Sequence, residues 1–365
     1  MLEKVPPMDV KKKIPQEIRK EIESFAAEVE RRSRENIDEN GFKHFRLQQG
    51  VYGQRQSGDI QMIRTKLPLG QINSEKLNCL AEFGDKYANG VLHITTRQDV
   101  QFHFVDLEKV PEGLELLAEG GITTREACGN TVRNITACHK SGTCTNEAFD
   151  VSPYARAVSN YLLRHSSTQS LPRKFKISFG GCNGCGIAPI HDIGFSGVIR
   201  EDNGKQIRGF KVLFGGGLGS SPHAAVPLTD FIPANQILRL AEALVNVFNK
   251  HGDGKNRNKA RFKFVLDKHG VDKVKEYYEE EFAALEGKQY ENIRYTADII
   301  PAISNFTPNL EYNSDPEFSN WKSRNTYSQK QAGFFNVHIK LHLGDLDSKK
   351  ARVISKAASE FAAGI

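Results

Sequence analysis

The sequence predicts an α+β protein built from successive, different regions. Strand-like and helical patterns between residues 59 and 119 follow in the order strand, helix, strand, strand, helix. A longer mixed region then extends to about residue 302, and the segment 331–365 repeats part of the first region. A chain of 365 residues is long enough for two or three such domains, each with its own core.

The N-terminal segment, residues 1–50, is predicted to be a helical extension. Pro15 suits the first turn of a helix, and one apolar stripe follows it at helical spacing, formed by Ile18, Ile22, Phe25 and Val29. This spacing predicts a helix over residues 15–32. Asn40 and Gly41 favour the backbone conformation that ends helices, so we expect them to stop any helix that remains.

Residues 51–120 are predicted to form a ferredoxin-like half-domain. In the first strand, Ile63, Thr65 and Leu67 alternate onto one face. The predicted elements are strand 59–67, helix 74–87 behind a cap at Asn73 or Ser74, strands 91–96 and 100–105 joined by a turn at 98–99, and helix 111–119. The order β-α-β-β-α is that of the split β-α-β unit of ferredoxin-like folds.

Residues 121–302 are predicted to form a larger α/β domain. One helix is indicated over 271–285, and another by an apolar stripe of Ile237, Ala241, Leu244 and Phe248. The glycine-rich run 214–219 lacks the Lys-Ser/Thr pair of a phosphate-binding loop, which favours a tight turn. Residues 303–330 are rich in Asn, Ser and Pro and are predicted to be an extended linker.

The C-terminal segment, 331–365, is a partial copy of the first half-domain. Residues 331–344 parallel 56–70 with one residue fewer, and 362–365 align with 88–91. Such a repeat indicates a duplicated domain, with chance similarity of two strand–helix units as the alternative. The copy stops at Ile365, where its second strand is expected, and this would leave an unpaired strand edge. We therefore expect a truncated chain, or one that another polypeptide completes.

The charge and hydropathy exclude some classes of protein. The net charge is +6, but no basic run is interleaved with aromatic residues, so we expect no nucleic acid partner. No apolar run approaches the length of a membrane span, and mean hydropathy is −0.48. The basic N-terminus has no apolar segment behind it, which argues against a secretory signal. A cytoplasmic protein without a membrane partner is predicted.

Two lysines in the segment 171–176 are predicted to face one spot. If this segment is a strand, Phe175, Ile177 and Phe179 share an apolar face, while Lys174 and Lys176 share the other. Like charges at neighbouring positions repel unless an anion lies between them. The pattern therefore indicates an anionic ligand, with a half-exposed edge strand carrying solvated lysines as the alternative.

The cysteines fall into two pairs and two isolated residues. Cys138 and Cys144 have the spacing C-x5-C, and Cys182 and Cys185 the spacing C-x2-C. Four thiolates suit an iron–sulfur cluster or a zinc ion, with buried unligated thiols as the alternative. Cys79 lies on an apolar helix face and is predicted to be a small buried hydrophobe.

Five segments resemble the sirohaem-dependent nitrite and sulfite reductases, and they occur in the family's order. They are 52–56 (YGQRQ), 93–99 (HITTRQD), 124–134 (TREACGNTVRN), 171–176 (LPRKFK) and 191–194 (HDIG). The resemblance runs from about residue 42 to the end of the chain. It implies a ferredoxin-like unit, a sirohaem-type α/β domain and the start of a second ferredoxin-like unit, because these enzymes consist of two fused, pseudo-symmetric halves.

The resemblance also implies roles for individual residues. Arg97 and Arg133 are similar to the arginines that hold the anionic substrate in the family, and Lys174 and Lys176 to its two active-site lysines. Sirohaem carries eight carboxylates, and the weaker candidates for contacting it are Arg125, Asn130, Gln101, His103 and the segment 257–263. The family's cluster is held by a similar cysteine pattern in the second half, so the candidate metal ligands here are Cys138, Cys144, Cys182 and Cys185. The last spacing is one residue shorter than in the family.

Family members reduce nitrite to ammonium, or sulfite to sulfide, by six electrons at a sirohaem coupled to a [4Fe-4S] cluster. The implied partners are nitrite or sulfite, an acidic electron donor such as ferredoxin, and the missing C-terminal half of the reductase. The sequence does not choose between nitrite and sulfite, because both anions need the same cations. The alternative function is a truncated, non-catalytic module that binds anions or a tetrapyrrole.

Overall fold

The computed structural model describes residues 13–35, 38–56, 58–182, 184, 187–295 and 315–362. Within these ranges the chain forms an α+β fold, with two five-stranded sheets and a separate two-stranded hairpin. Each large sheet has its own hydrophobic core. The predicted fold class is therefore confirmed. No helix in these ranges has both the length and the apolar composition needed to cross a membrane.

Two helices precede the first sheet and belong to its core. They are α1 (Gln16–Arg34) and α2 (Glu39–Gln48). Phe25 of α1 is fully buried among the residues of the first core. Asp38 caps α2 by accepting the backbone N–H groups of Asn40 and Gly41. The prediction that Asn40 and Gly41 stop a helix is wrong, because the Asp38 cap makes them the first turn of a new one.

The first sheet and its two packed helices include every predicted element of the ferredoxin-like unit, with a short strand before them and a fifth strand from the C-terminal region. Its parts are β1 (Val51–Gly53), β2 (Ile60–Arg64), α3 (Ser74–Tyr87), β3 (Val91–Ile94), β4 (Val100–Asp106) and α4 (Val110–Glu119). The strands lie in the order β1-β2-β4-β3, and all neighbours are antiparallel. The Asn73 side chain caps α3 by accepting the N–H of Lys76. Cys79 is buried in this core, as predicted.

The second sheet combines parallel and antiparallel strands. Its strands are β5 (Thr136–Ala137), β6 (Ile177–Gly180), β7 (Ile193–Asp202), β8 (Lys205–Phe214) and β9 (Val226–Pro233). The helices of this unit are α5 (Ser152–Leu162), α6 (Ile237–His251), α7 (Lys263–His269) and α8 (Val271–Ala284). β5, β6 and β7 are parallel, whereas β8 and β9 are antiparallel to their neighbours. The predicted apolar stripe of α6 is fully buried.

The lysine segment lies directly before a strand and makes only a single bridge of its own, so the prediction that it is a strand is wrong for residues 171–176. Phe175, Ile177 and Phe179 are fully buried, which confirms the predicted apolar face. Strand β6 begins at Ile177, so Lys174 and Lys176 lie just before it. A single bridge pairs Phe175 with Val132 at this point. Lys174 and Lys176 therefore directly precede the parallel strand β6 and do not lie within the sheet.

The C-terminal region contains a helix and a short strand where a linker was predicted, and further elements where the repeat was predicted. Its elements are α9 (Pro316–Asn325), β10 (Thr326–Ser328), β11 (Phe335–Val337), β12 (Asp345–Asp347) and α10 (Ser348–Phe361). Asp315 caps α9 by accepting the N–H of Glu317, and β10 pairs with β11. For residues 315–330 the prediction of an extended linker is therefore wrong, because a polar composition did not reveal the capped helix.

The two copies of the repeat have the same local geometry. Leu69 and Leu343 both have a left-handed backbone, with φ of 64° and 53°, in matching turns. Asn73 caps α3, and at the equivalent position Asp347 caps α10, a helix of the same length. Strand β12 extends the first sheet by pairing with β3, and α10 packs against α3. Residues 363–365, which carry the end of the repeat, lie outside the described ranges.

Candidate functional site

Six cations converge where β5 and β6 begin, and we call them the cation cluster: Arg64, Arg97, Arg133, Lys174, Lys176 and Arg261. The segments just before β5 and β6 supply Arg133 and the two lysines, β2 ends at Arg64, and Arg97 lies in the turn between β3 and β4. The charges of Arg64, Arg97, Arg133, Lys174 and Arg261 each lower the pKa of at least one other member, and three of them lower that of Lys176. The fold thus brings the four predicted catalytic residues together.

The two lysines of the cluster carry charge that no neighbouring carboxylate pairs with in the described ranges. Both side chains are half-buried, and within the described ranges neither forms an ion pair. Burial lowers the pKa of Lys174 to about 8, with the charge of Arg133 as the next cause. Burial likewise lowers the pKa of Lys176 to about 8, with Arg97 as the next cause. Half-buried ammonium groups that repel one another are stabilised when an anion binds between them.

Arg133 and Arg64 share backbone acceptors in the segment before β5. Arg133 donates to the carbonyl oxygens of Ala127 at 3.2 Å and Gly129 at 3.0 Å. Arg64 donates to the same Ala127 oxygen at 3.3 Å. The side-chain oxygen of Gln101, oriented as an acceptor, lies 2.8 Å from Arg64 Nη2. Sequence reasoning missed Arg64, although alternation with the buried Ile63 could have placed it on the open face of the sheet.

Arg97 contributes charge to the site while its donors point into the protein. Its Nη2 donates to the backbone oxygen of Asn134, and its Nη1 lies 2.5 Å from His191 Nε2. The Nδ1 of His191 lies 2.7 Å from the carbonyl oxygen of Ile187, so Nδ1 carries the proton and Nε2 accepts. Burial lowers the pKa of His191 to about 3, with Arg97 as the next cause, so this ring is neutral.

A buried ion pair forms the opposite wall of the site. Arg261 Nη2 donates to Asp192 Oδ2 at 2.7 Å, and the backbone N–H of Lys176 donates to the same oxygen at 2.7 Å. Burial raises the pKa of Asp192, and the Arg261 charge opposes this change. Arg261 belonged to a segment named only as a weak candidate, and Asp192 to a motif without an assigned role.

The glycine-rich run lies beside this ion pair as a bend, with a left-handed backbone at Gly215 (φ 78°) and a bridge from Gly217 to His223. A Cβ atom at Gly216 would lie 2.3 Å from the Pro189 carbonyl oxygen, so only glycine fits this close approach. Lys263 Nζ donates to the carbonyl oxygens of residues 217, 218 and 221. The turn is therefore fixed by a buried lysine that sequence reasoning placed only in the weak segment 257–263.

The four candidate sirohaem contacts are placed at different distances from the cluster. Gln101 holds Arg64 and is part of the site. Arg125 donates to the Gln169 side chain at 3.0 Å and pairs with Glu21 at 3.8 Å, which fits a structural role. His103 contacts Gln54 on the open face of the first sheet. The backbone oxygen of Asn130 accepts the N–H of Leu171 and so fixes the start of the lysine segment.

The cysteines lie at the other end of the same parallel strands. Cys138 directly follows β5, and Cys182 comes two residues after β6 ends. Lys176 and Cys182 are six residues apart along extended chain, which corresponds to about 20 Å at most. Cys185 lies outside the described residues, and in the described ranges no three potential ligands are grouped as a metal ion requires. The described cysteines therefore do not by themselves fit a cluster next to the cations.

The loop that carries Cys138 and Cys144 is held by the β10–β11 hairpin. Gln331 donates to the Gly142 carbonyl oxygen at 2.8 Å, and Lys330 pairs with Glu147 at 2.9 Å. A cavity of about 390 Å³ between the loop and the hairpin has Cys144 in its wall. The start of the second repeat thus fixes the cysteine loop of the first α/β domain.

Two family models match consecutive parts of this chain. The "Nitrite/Sulfite reductase ferredoxin-like half domain" matches residues 52–120, and the "Nitrite and sulphite reductase 4Fe-4S domain" matches residues 128–285. Together they cover more than half of the sequence. The chain belongs to the nitrite and sulfite reductase family.

Named relatives include reductases for both substrates. The assimilatory ferredoxin-dependent nitrite reductase of Haloferax mediterranei is 30% identical over 95% of this chain and 60% of that protein. The ferredoxin–nitrite reductase of Synechococcus elongatus is 29% identical over 83% of this chain and 56% of that protein. Sulfite reductase [ferredoxin] 1 of Mycolicibacterium paratuberculosis is 28% identical over 72% and 44%. The chain therefore spans less than two thirds of the length of these relatives.

Solved structures show the same fold. The NirA protein of Mycobacterium tuberculosis superimposes with a TM-score of 0.72 and 21% identity, over 93% of this chain and 63% of that one. Family membership implies a sirohaem and a [4Fe-4S] cluster. The cation cluster fits a polycarboxylate such as sirohaem, since Lys174 and Lys176 have no ion pair and the buried Nε of Arg261 has no hydrogen-bond partner in the described structure.

Proposed function

We propose that this chain supplies the oxyanion-binding half of a sirohaem-dependent reductase that converts nitrite to ammonium or sulfite to sulfide. The observation that carries the proposal is a pair of half-buried lysines, Lys174 and Lys176, which lie among four arginines. Neither lysine has an ion-pair partner in the described residues. A protein gains nothing in stability from such unneutralised charge. It does gain affinity for a small anion, because each ammonium group is already partly desolvated.

The lysines also suit the proton chemistry of oxygen removal. Each oxygen that leaves a nitrite or sulfite ion as water takes two protons. A group whose pKa lies near the working pH both holds and releases a proton readily. With pKa values of about 8, Lys174 and Lys176 are protonated at neutral pH and are better donors than ordinary lysines. Arg64 and Arg133 keep their charge throughout and so hold the anion in place.

The same cations are also candidates for contacting the tetrapyrrole. When bound, sirohaem would supply the electrons to the nitrogen or sulfur atom of the substrate. Of this chain's residues, the cation cluster and Gln101 are the candidates for holding its carboxylates. A cluster on Cys138, Cys144, Cys182 and Cys185 stays a prediction, and no step is assigned to it.

The partners follow from the same reasoning. The relatives that name a donor are ferredoxin-dependent, so we expect an acidic ferredoxin to deliver the electrons to a mildly basic enzyme. The remaining length of the relatives would supply the rest of the reductase. The predicted cytoplasmic location stays a prediction. An anion- or tetrapyrrole-binding module without turnover would use the same cations, and turnover separates the two functions.

The test is turnover by a complete reductase that contains this chain, driven by reduced methyl viologen with nitrite or sulfite. Lys174→Met and Lys176→Met should each lower kcat/KM by about a hundredfold or more, the usual effect of removing a positioned proton donor. Lys205→Met, at an exposed hairpin end, is the matched control and should leave kcat/KM unchanged. Full turnover by both cluster variants would remove the lysines from the site. Comparison of kcat/KM for the two anions identifies the substrate.

A further inference from the structure

Asp192 is a buried carboxylate among the cations, immediately before β7. Its side chain is inaccessible to solvent. One oxygen, Oδ2, accepts both the backbone N–H of Lys176 and the Nη2 of Arg261, each at 2.7 Å. The other oxygen, Oδ1, is buried and has no hydrogen-bond partner in the described structure. Two donors, one of them a guanidinium, favour the charged form of this carboxylate and oppose the effect of its burial.

The backbone around Asp192 ties the same walls together. Its carbonyl oxygen accepts the N–H of Gly215 at 3.0 Å, and the carbonyl oxygen of His191 accepts the N–H of Gly216 at 2.9 Å. Asp192 therefore joins the lysine segment, the glycine-rich turn and Arg261, which lies two residues before α7. A displacement of the Asp192 side chain would therefore change the positions of Lys176 and Arg261 relative to each other.

The charges that face Lys176 come from every element packed against it. Arg97, Arg261 and Lys174 are cations, His191 is neutral, and Asp192 supplies negative charge. Burial lowers the pKa of Lys176 to about 8, the cations lower it in the same direction, and Asp192 opposes them. Without Asp192, nothing among these groups favours the charged form of the lysine.

We infer that Asp192 is a positioning residue of the oxyanion site: its Oδ2 fixes the Lys176 backbone and the Arg261 guanidinium side by side, and its charge opposes the repulsion of Lys176 by the other cations. The identity of the bound anion rests on the proposed function, whereas the coupling between the three side chains does not. A neutral Lys176 would offer neither a charge to hold the anion nor a proton to the departing oxygen. The carboxylate thus acts on the reaction through the lysine, without touching the substrate.

The test measures the pKa of Lys176 directly, in the full chain and without turnover. Lysine side chains labelled with ¹³C and ¹⁵N are titrated by NMR, and Lys176→Arg identifies the signal. Asp192→Asn keeps an acceptor for the Lys176 N–H but removes the charge, so the pKa of Lys176 should fall by about one unit. Glu242→Gln is the control: this buried carboxylate contacts Tyr161, Tyr290 and Lys288 and should leave the Lys176 signal unchanged.

A second variant keeps the inference testable if Asp192→Asn does not fold. Arg261→Gln removes a repelling cation, so the pKa of Lys176 should rise. An unchanged pKa of Lys176 in a folded Asp192→Asn protein, or in Arg261→Gln, would overturn the inference.

Turnover distinguishes this inference from the proposed function. In the complete reductase, Asp192→Asn should move the alkaline limb of kcat/KM to lower pH by the same amount as the pKa of Lys176. A shifted pKa in a protein without turnover would support the positioning role and contradict the proposed function.

Discussion

Raising the pH from about 7 to about 9.5 should stabilise the ligand-free chain, and the two cluster lysines should cause the gain. In the folded protein Lys174 and Lys176 lose their protons near pH 8, compared with an ordinary 10.5. Between these values the unfolded chain binds more protons than the folded one, so the free energy of unfolding increases with pH. The loss of folded-state stability caused by the two charged lysines is fully present below pH 8 and disappears as the pH approaches 10.5.

The size of this gain in the free energy of unfolding follows from the pKa values and the solvent exposure of the two lysines. A change from 10.5 to about 8 corresponds to about 3 kcal/mol for a fully buried lysine. Both side chains are half-buried, and solvent screening reduces the effect to about 1–2 kcal/mol each. The pair should therefore contribute about 2–4 kcal/mol, less the part that lies above pH 9.5.

Urea unfolding at the two pH values measures this quantity. The chain with Lys174→Met and Lys176→Met should lose most of the pH-dependent gain, whereas Lys205→Met should keep it. Groups elsewhere titrate equally in all three proteins and cancel in the comparison. Added sulfate should stabilise the unmodified chain more at pH 7 than at pH 9.5, because an anion binds the protonated lysines. Identical pH dependence in the double variant and the unmodified chain would refute charge repulsion at these lysines.

Two further predictions concern the framework of the site. Lys66 and Glu126 form a buried ion pair at 3.3 Å, with side chains 3% and 0% exposed. Because Lys66→Met leaves the Glu126 charge buried without its partner, it should lower the free energy of unfolding by about 3–5 kcal/mol. A loss below about 1 kcal/mol, measured by urea unfolding, would contradict this prediction. Gly216→Ala should lower the melting temperature and abolish stabilisation by sulfate, because the added Cβ meets the Pro189 carbonyl oxygen. Gly254→Ala, where a Cβ has ordinary contacts, should do neither, and equal behaviour of the two variants would remove the glycine turn from the site.

The elements with strong periodicity could be predicted from the sequence. The stripe of α6, the five elements of the first half-domain and the apolar face of β6 all depend on burial of one face, which leaves a clear pattern. The elements that sequence reasoning missed lack such a pattern. Helix α9 has no buried residue in the structure, and α2 has a single one, Phe42.

The site could be predicted only where its residues stand in compact motifs. Lys174, Lys176, Arg97 and Arg133 lie in short segments that resemble the family, and the fold brings them together. Arg64, Asp192 and Arg261 come from the end of β2, the start of β7 and the turn before α7, and only tertiary structure joins them. Their spacing along the chain carries no signal, because separations of about 70 to 130 residues reflect topology and not a local pattern.

The visible absorption spectrum of the full chain tests the central claim most directly. The chain is purified from cells supplied with sirohaem, then measured alone and after mixing with the remaining portion of a reductase of this family. We expect a Soret-type band on mixing, and a much weaker band when Lys174, Lys176 and Arg261 are replaced by Met, Met and Gln. A chain that stays colourless in both conditions, or a triple variant that keeps the full band, would contradict a tetrapyrrole and oxyanion site built on these cations.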